Sequence, residues 1–334
     1  MRLLDHVAQS DSPFLVRQFD GELWQLTGPS DYAREVAGCP LRYVLSDQLV
    51  RNCIELAYSD GAGVCGCLDL VHLPAQRLWI EWSGLAQRDV LLRMMPECSD
   101  AASAECLRHG VLICADAAGR HGSLRTFWLP AGEPLTPLLA PIETLIDLER
   151  ETVPASDAEA LLAGEALRVR DSRSAEVDGL LECARFRLDP AWQRYYSTVA
   201  SSPAERRAVL ERSLGTVTFD VPALLALFLL MALRSELTHV PISTERINLK
   251  RARLGRAPLL AHIEVSCPVF AAPEHRPVGE ELTPRTAPRL HHVRGHIVRR
   301  EDAVFWRRPH WRGHLRLGCV RSRTVNLGLE GARR

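Results

Sequence analysis

Arg77-Leu78-Trp79-Ile80-Glu81-Trp82 decides the fold class. Its aromatic and β-branched side chains fit a pleated, buried surface better than a helix, and Pro74 and Gly84 punctuate it on either side. Working outward, residues 64–73, 111–115 and 124–129 carry the same composition and read as further strands, so a sheet is expected to organise the N-terminal half. Helices are expected to open at Ser30-Asp31-Tyr32-Ala33-Arg34-Glu35 and to span residues 47–58.

Beyond residue 150 the pattern turns helical. Ser156-Asp157-Ala158-Glu159 and Ser202-Pro203-Ala204-Glu205 each place a capping serine three residues before a glutamate. Residues 221–233 are an apolar run, shorter than the roughly 20 residues a bilayer requires. They read as a buried helix of residues 221–235 with Asp220 as its cap. Pro273, Pro277, Pro284 and Pro288 forbid regular structure in residues 271–288, which read as an exposed connector. After it, residues 290–299, 303–308 and 320–327 read as three short strands, the first two joined by a turn at Glu301-Asp302. The expected class is α+β. It comprises a mixed sheet with helices over 1–150, a helical middle packed on it over 151–270, the connector 271–288, and a small antiparallel β unit over 289–334.

The 334 residues are 46% hydrophobic, enough for a sizeable core. Asp5 and His6 interrupt the N-terminus before an apolar run of signal length forms, so a cytoplasmic protein, without a membrane partner, is expected. The ten cysteines then stay reduced and mostly fill the core. Cys65-Gly66-Cys67 lacks the second pair or the spaced histidines of a structural zinc site, and no cofactor is expected. Gly61-Ala62-Gly63-Val64-Cys65-Gly66 satisfies G-x-G-x-x-G, but a helix precedes it and a strand is expected after it. That reverses the order a dinucleotide site needs and leaves a glycine-rich turn. Phosphate-loop, nucleophile-elbow and H-E-x-x-H signatures are absent, and no catalytic residue is assigned.

A formal net charge of zero conceals a division. Residues 245–334 carry 19 Lys+Arg against 8 Asp+Glu, net +11, and residues 1–244 carry 22 against 33, net −11. Lys250 is the only lysine, which favours bidentate arginine contacts and stacking over diffuse attraction. Five of the twelve histidines fall after residue 288, and Arg-Gly-His occurs at 294–296 and at 312–314. On one extended strand His292, Arg294 and His296 share a face. With Arg289, Arg307, Arg308, His310, Trp311, Arg312 and His314 they form a candidate cationic surface, Trp306 and Trp311 being possible stacking groups. Lys250, Arg251 and Arg253 extend it from a second basic stretch, 246–260.

Three accounts of this surface compete. It binds a polyanion, RNA above all. It docks on the acidic part of its own chain. Or the spacings His292/His296 and His310/His314 hold a metal for a nuclease, although Glu301 and Asp302 are the only nearby carboxylates.

Several stretches together carry a resemblance. They are Lys250-Arg251-Ala252-Arg253-Leu254-Gly255-Arg256-Ala257-Pro258-Leu259, Arg289-Leu290-His291-His292-Val293-Arg294-Gly295-His296, and Val304-Phe305-Trp306-Arg307-Arg308-Pro309-His310-Trp311-Arg312-Gly313. In this order the chain resembles a family of phage and prophage proteins of mostly unknown function. That family includes, distantly, a type V-A anti-CRISPR protein that acts on the message of the effector nuclease through its nascent peptide. The resemblance covers about the last 115 residues well, and Leu73-Pro74-Ala75-Gln76-Arg77-Leu78-Trp79-Ile80-Glu81-Trp82 looks like the family's sheet segment. The anti-CRISPR member is rich in lysine and asparagine where this chain has arginine. The resemblance implies a regulatory binding protein of mobile-element origin, with a peptide or protein target and RNA or ribosome-associated nucleic acid as partners.

Overall fold

The computed structural model describes residues 1–9, 15–17, 23–25, 30–94, 106–131, 137–149, 175–189, 217–233, 237–267, 289–300 and 303–319, with 166, 192, 202, 211 and 213–215 between them. The fold is α+β, and its organising element is a mixed eight-stranded sheet. Its strands are β3 (Leu41–Leu45), β4 (Arg77–Ser83), β5 (Cys106–Ala115), β6 (His121–Pro130), β7 (Leu138–Asp147), β8 (Ala184–Leu188), β9 (Thr238–Ile242) and β10 (His262–Ser266). Their order is β8-β7-β6-β5-β4-β3-β10-β9. β10, β3 and β4 run parallel, β4 through β8 form an antiparallel meander, and β9 closes the other edge antiparallel to β10. A separate antiparallel pair, β1 (Leu15–Arg17) and β2 (Leu23–Gln25), precedes the sheet in the chain.

Strand alternation divides the sheet's two faces. Trp79 and Glu81 point to one face, where α1 (Leu3–Ala8) rests: the buried Glu81 carboxylate accepts the Leu3 and Leu4 amides, both at 2.9 Å. A carboxylate at a helix N-terminus satisfies orphan donors and complements the helix dipole, which accounts for a fully buried glutamate here. α2 (Ser30–Ala37) packs beside α1 and sends Tyr32 against Phe127. Glu143 and Asp189, also buried, pair on this face with Arg125, and Glu143 also pairs with Arg187.

Leu78, Ile80 and Trp82 point to the opposite face and are covered by α3 (Asp47–Ser59), α5 (Gly84–Met94) and α7 (Asp220–Ala232). Ser46 caps α3 by accepting the Leu49 amide at 3.3 Å. Ten of the thirteen residues of α7 are buried, so the apolar run is the central helix of this layer. With the turn before it the run extends over Ser213–Ala232, long and apolar enough for a membrane span by composition alone, but 82% of that stretch is buried within the protein. Asp220 does not cap α7. It lies in the first turn, its carboxylate turned onto Gln87 and Thr126.

Three expectations change. Residues 64–73 are not a strand: α4 (Gly61–Cys65) and a 3-10 turn at Leu68–Leu70 occupy them. Leu73 apart, the buried positions are Val64, Cys67, Leu68 and Val71, an i, i+3, i+4, i+7 pattern that belongs to a helix. The G-x-G-x-x-G stretch is therefore helical and no strand follows it directly. A Cβ at Gly63 would meet the Asp60 carboxylate at 2.6 Å, so a larger residue there would have to displace that side chain. Among its described residues the middle of the chain also supplies strands: β8, β9 and β10 come from it and complete the same sheet as β3 and β4. The helices expected after Ser156 and Ser202 and the connector 271–288 lie outside the described residues.

The C-terminal unit also differs. The run read as one strand over 290–299 breaks at Arg294-Gly295 into β11 (Arg289–Val293) and β12 (His296–Arg300). β12 pairs antiparallel with β13 (Ala303–Arg307) around the expected turn. β11 lies between β14 (His310–Arg312), antiparallel, and β15 (His314–Cys319), parallel, so the unit is not purely antiparallel. Residues 320–327, expected to be a strand, lie outside the described residues.

Candidate functional surfaces

The break at Arg294-Gly295 is set by Trp306. A Cβ at Gly295 would stand 2.7 Å from the Trp306 indole nitrogen and 3.0 Å from Pro309 Cδ, so only glycine lets the two pieces of chain cross. Trp306 is 3% exposed and joins the main core with Ile297 and Val304 packed against it, which removes it as a base-stacking group. The β12–β13 hairpin is thereby two-faced. Ile297, Arg299, Val304 and Trp306 lie on the inner face, and register places His296 beside Arg307, Val298 beside Phe305 and Arg300 beside Ala303 on the outer one.

The inner face seats on the acidic part of the chain. The Ile297 amide donates to Asp60 at 2.7 Å, Arg299 donates to the Gly66 carbonyl at 2.9 Å, and its guanidinium lies 3.8 Å from Asp69. The Glu55 carboxyl of α3 is pushed up by burial and pulled back by the positive charges of Arg93, Arg294 and Arg51. Half-buried Arg308 lies near Cys267 at the end of β10. Part of the positive charge read from the sequence is thus spent on docking.

The outer face holds the remaining charge. Arg300 and Arg307 are exposed, Phe305 is 37% exposed, and the Arg300 guanidinium lies over its ring at 5.8 Å from the centroid. In the neighbouring sheet, register puts His291 beside Arg312 and Val293 beside His310, with Arg289 on the same face of β11. Arg289 and Arg312 are exposed. His292 is in register with Trp311, and His314 opens β15.

The single strand expected to carry His292, Arg294 and His296 on one face ends at Val293, before Arg294 and His296. His292, His296, His310 and His314 belong to four strands, β11, β12, β14 and β15, so neither expected histidine pair lies on one strand. Among the described residues no group of three metal-ligating side chains converges. The Nδ1 atoms of His296 and His310 are engaged by the carbonyls of Arg294 and Arg308, at 3.1 and 3.0 Å.

The second basic stretch forms α8 (Glu245–Arg253), between β9 and β10. None of its residues is buried, and Lys250 and Arg253 are exposed while Arg251 is half-exposed and donates to the Ala257 carbonyl at 2.7 Å. It stands apart from the hairpin surface in composition: no aromatic residue lies in 240–261.

A buried polar cluster, missed by sequence reading, lies between the sheet and α7. Burial pushes the Asp220 carboxyl up to about 7 and the His109 imidazole down to about 3. Gln87 bridges Asp220, at 3.0 Å, to the Trp82 indole, at 2.6 Å. His109 stacks on Trp82 and sits 4.0 Å from Asp220. The adjoining cavity is small and almost wholly apolar, lined by Leu45, Cys53, Ile54, Trp82 and Leu227 among others, which suits a packing defect better than a ligand site.

No protein-family model, no curated protein and no solved structure matches this chain, so its surfaces are interpreted from their own chemistry.

Proposed function

We propose that the protein acts by binding, as a regulatory protein whose C-terminal unit contacts single-stranded RNA. The observation that carries this reading is the outer face of the β12–β13 hairpin, where Arg300, Phe305 and Arg307 lie exposed beside His296. Guanidinium groups pair with phosphate, and an open ring accepts a base by stacking, a combination that tracks single strands without reading sequence. Arg289 and Arg312 add two further exposed cations to the same unit. The resemblance of the last 115 residues adds the biological setting to the proposal: phage or prophage counter-defence, in the manner of an anti-CRISPR protein acting on a message.

Fluorescence anisotropy with a labelled oligouridine across a salt series tests this reading. Replacing Arg300 and Arg307 together by glutamine should weaken binding at least tenfold at low salt and flatten the log–log salt dependence by about 0.7 for each phosphate left unneutralised. Phe305→Ser should weaken binding by an amount worth about 1–3 kcal/mol and leave that slope unchanged. Wild-type affinity in both variants overturns the proposal.

The seating of Ile297 and Arg299 on Asp60, Gly66 and Asp69 favours a second reading, in which the basic unit serves to complete the protein's own fold. Under it, salt and not RNA changes hydrogen exchange along β12.

A further inference from the structure

α8 is an amphipathic helix turned inside out. A surface helix ordinarily sends its apolar stripe to the core and its charges to water. Here the residues facing the body are polar: Thr244, Asn248 and Arg251, spaced i, i+4, i+7, all bond to the returning segment 257–259. Asn248 clamps the backbone of one residue at both its groups, donating to the Leu259 carbonyl at 2.9 Å and accepting the Leu259 amide at 2.8 Å. The opposite face carries Arg246, Lys250 and Arg253 in one row. By helical geometry Leu249 borders that row on one side, and Ile247 and Leu254 border it on the other. Leu249 is 67% exposed, Leu254 68% and Ile247 47%.

Exposed leucines on a frayed segment would mean little, but this arm is built to hold them. Gly255, at φ +63°, ends α8 with the Arg256 amide on the Arg251 carbonyl at 2.9 Å and the Gly255 amide on the Ala252 carbonyl at 3.1 Å, a Schellman termination. The base of the arm is tied to the N-terminal part of the chain, where Gln9 donates to the Pro258 carbonyl at 2.7 Å and Asp5 accepts the Leu260 amide at 2.9 Å. A surface held in its binding shape avoids the ordering cost of association.

We infer that α8 is a docking surface for an acidic, amphipathic segment of a partner protein. Charge complementarity selects the sign: the arm offers Arg246, Lys250, Arg253 and Arg256 and has Glu245 as its single acid over 245–261. The apolar borders select protein over RNA, since aliphatic leucine and isoleucine offer bases nothing to stack on and phosphates nothing to pair with. Strand addition at the neighbouring β9 edge is disfavoured by Pro241. Pro241 lies opposite Ile263, two pairs from His239 opposite Val265, and the Val265 carbonyl accepts the Ser46 amide on the far side. Both pairs thus direct their β9 backbone groups outward, and proline deletes one of those outward donors, a common guard on sheet edges. The partner therefore lies across the helix, with apolar side chains on Leu249 and on the Ile247–Leu254 pair and carboxylates over the cation row.

The inference is independent of RNA binding at the hairpin, and its test separates the two. A display library of random 16-residue peptides is selected on the intact wild-type protein and counter-selected on two arm variants: Leu249→Ser/Leu254→Ser, and Arg246→Gln/Lys250→Gln/Arg253→Gln. Both leave the Asn248 clamp intact and change only exposed side chains, so circular dichroism and melting should match wild type. Peptides that pair carboxylates with Leu, Ile, Val or Phe should emerge and bind wild type at least tenfold more tightly than either variant. The charge variant should lose the salt-sensitive part of the affinity and the serine variant the salt-insensitive part. A selection in which no peptide distinguishes wild type from the variants overturns the inference. So does oligouridine affinity that falls with the arm cations, or self-association of the wild type that the serine variant abolishes.

Discussion

The hairpin β12–β13 and the helix α8 are both basic, both lie in the last 90 residues, and they differ in what separates the cations. On the hairpin the spacer is an aromatic ring, Phe305, and the scaffold is anchored by Trp306 in the core. On α8 the spacers are aliphatic, and the scaffold has no buried residue at all. Net charge alone gave both regions the same reading. The side chains between the charges divide them, because rings accept bases and aliphatic side chains accept other aliphatic side chains. The anchoring differs in kind as well: apolar burial in one case, three polar clamps on a returning loop in the other.

Removing the anchor of one surface should leave the other intact. Trp306→Ala takes a buried indole from the contact between hairpin and body, a change that costs about 3–5 kcal/mol. Hydrogen exchange should rise along β12 and β13, and oligouridine affinity should fall, while α8 amides keep wild-type protection. Loss of protection in both regions would mean that they form one cooperative unit and would break the comparison. Gly295→Ala forces a Cβ against the same indole and should reproduce the pattern at about 1–3 kcal/mol.

The body beneath both surfaces has its own signature in pH. Asp220 folds with its carboxyl near 7 instead of 3.8, so between about pH 4 and 7 the native state holds a proton that the unfolded chain has lost. Its contribution to stability falls as pH rises. His109 folds near 3 instead of 6.5, so between those values the unfolded chain holds the extra proton and stability falls as pH falls. Over pH 4–6.5 the two slopes oppose each other. His109→Asn should unmask a loss of stability on raising the pH through this range, and Asp220→Asn the opposite slope, by urea denaturation at a series of pH values. Neither substitution should alter oligouridine binding at fixed pH.

What the sequence made legible follows from where side chains meet. The hydrophobic runs at 77–82, 111–115 and 124–129 announced their strands because each is buried against helices. β9 and β10 were hidden by the opposite condition. Thr238–Ile242 is an exposed edge containing a proline, and His262–Ser266 mixes Glu264 into a short run, so neither carries a composition signal. Trp306 and Phe305 are adjacent and aromatic. Period-two alternation along 303–307 was enough to send them to opposite faces, but which face meets the core depends on Asp60 and α4, far off in sequence. Asp220 was correctly placed at a helix start and wrongly given a capping role, because Gln87 and Thr126, its actual partners, lie far off in sequence.

The smallest effect is expected at Asn248, and its sign is informative. Within an isolated helix, alanine is favoured over asparagine by about half a kcal/mol, and a change that only touched helix propensity would raise α8 protection. Asn248→Ala also deletes both bonds to Leu259, at 2.8 and 2.9 Å, and the bond to Thr244, on a segment with no buried side chain to replace them. Each such bond contributes about 0.5–1.5 kcal/mol net, so their removal outweighs the propensity gain. Protection of α8 amides should therefore fall about tenfold, with hardly any change in the melting temperature of the body and none in hairpin exchange. A rise in protection would show that α8 is a self-sufficient helix and that the clamp merely accompanies it. A fall confined to 245–260 fixes the cause of the difference from the hairpin: polar side chains turned inward are what leave Leu249 and Leu254 facing out.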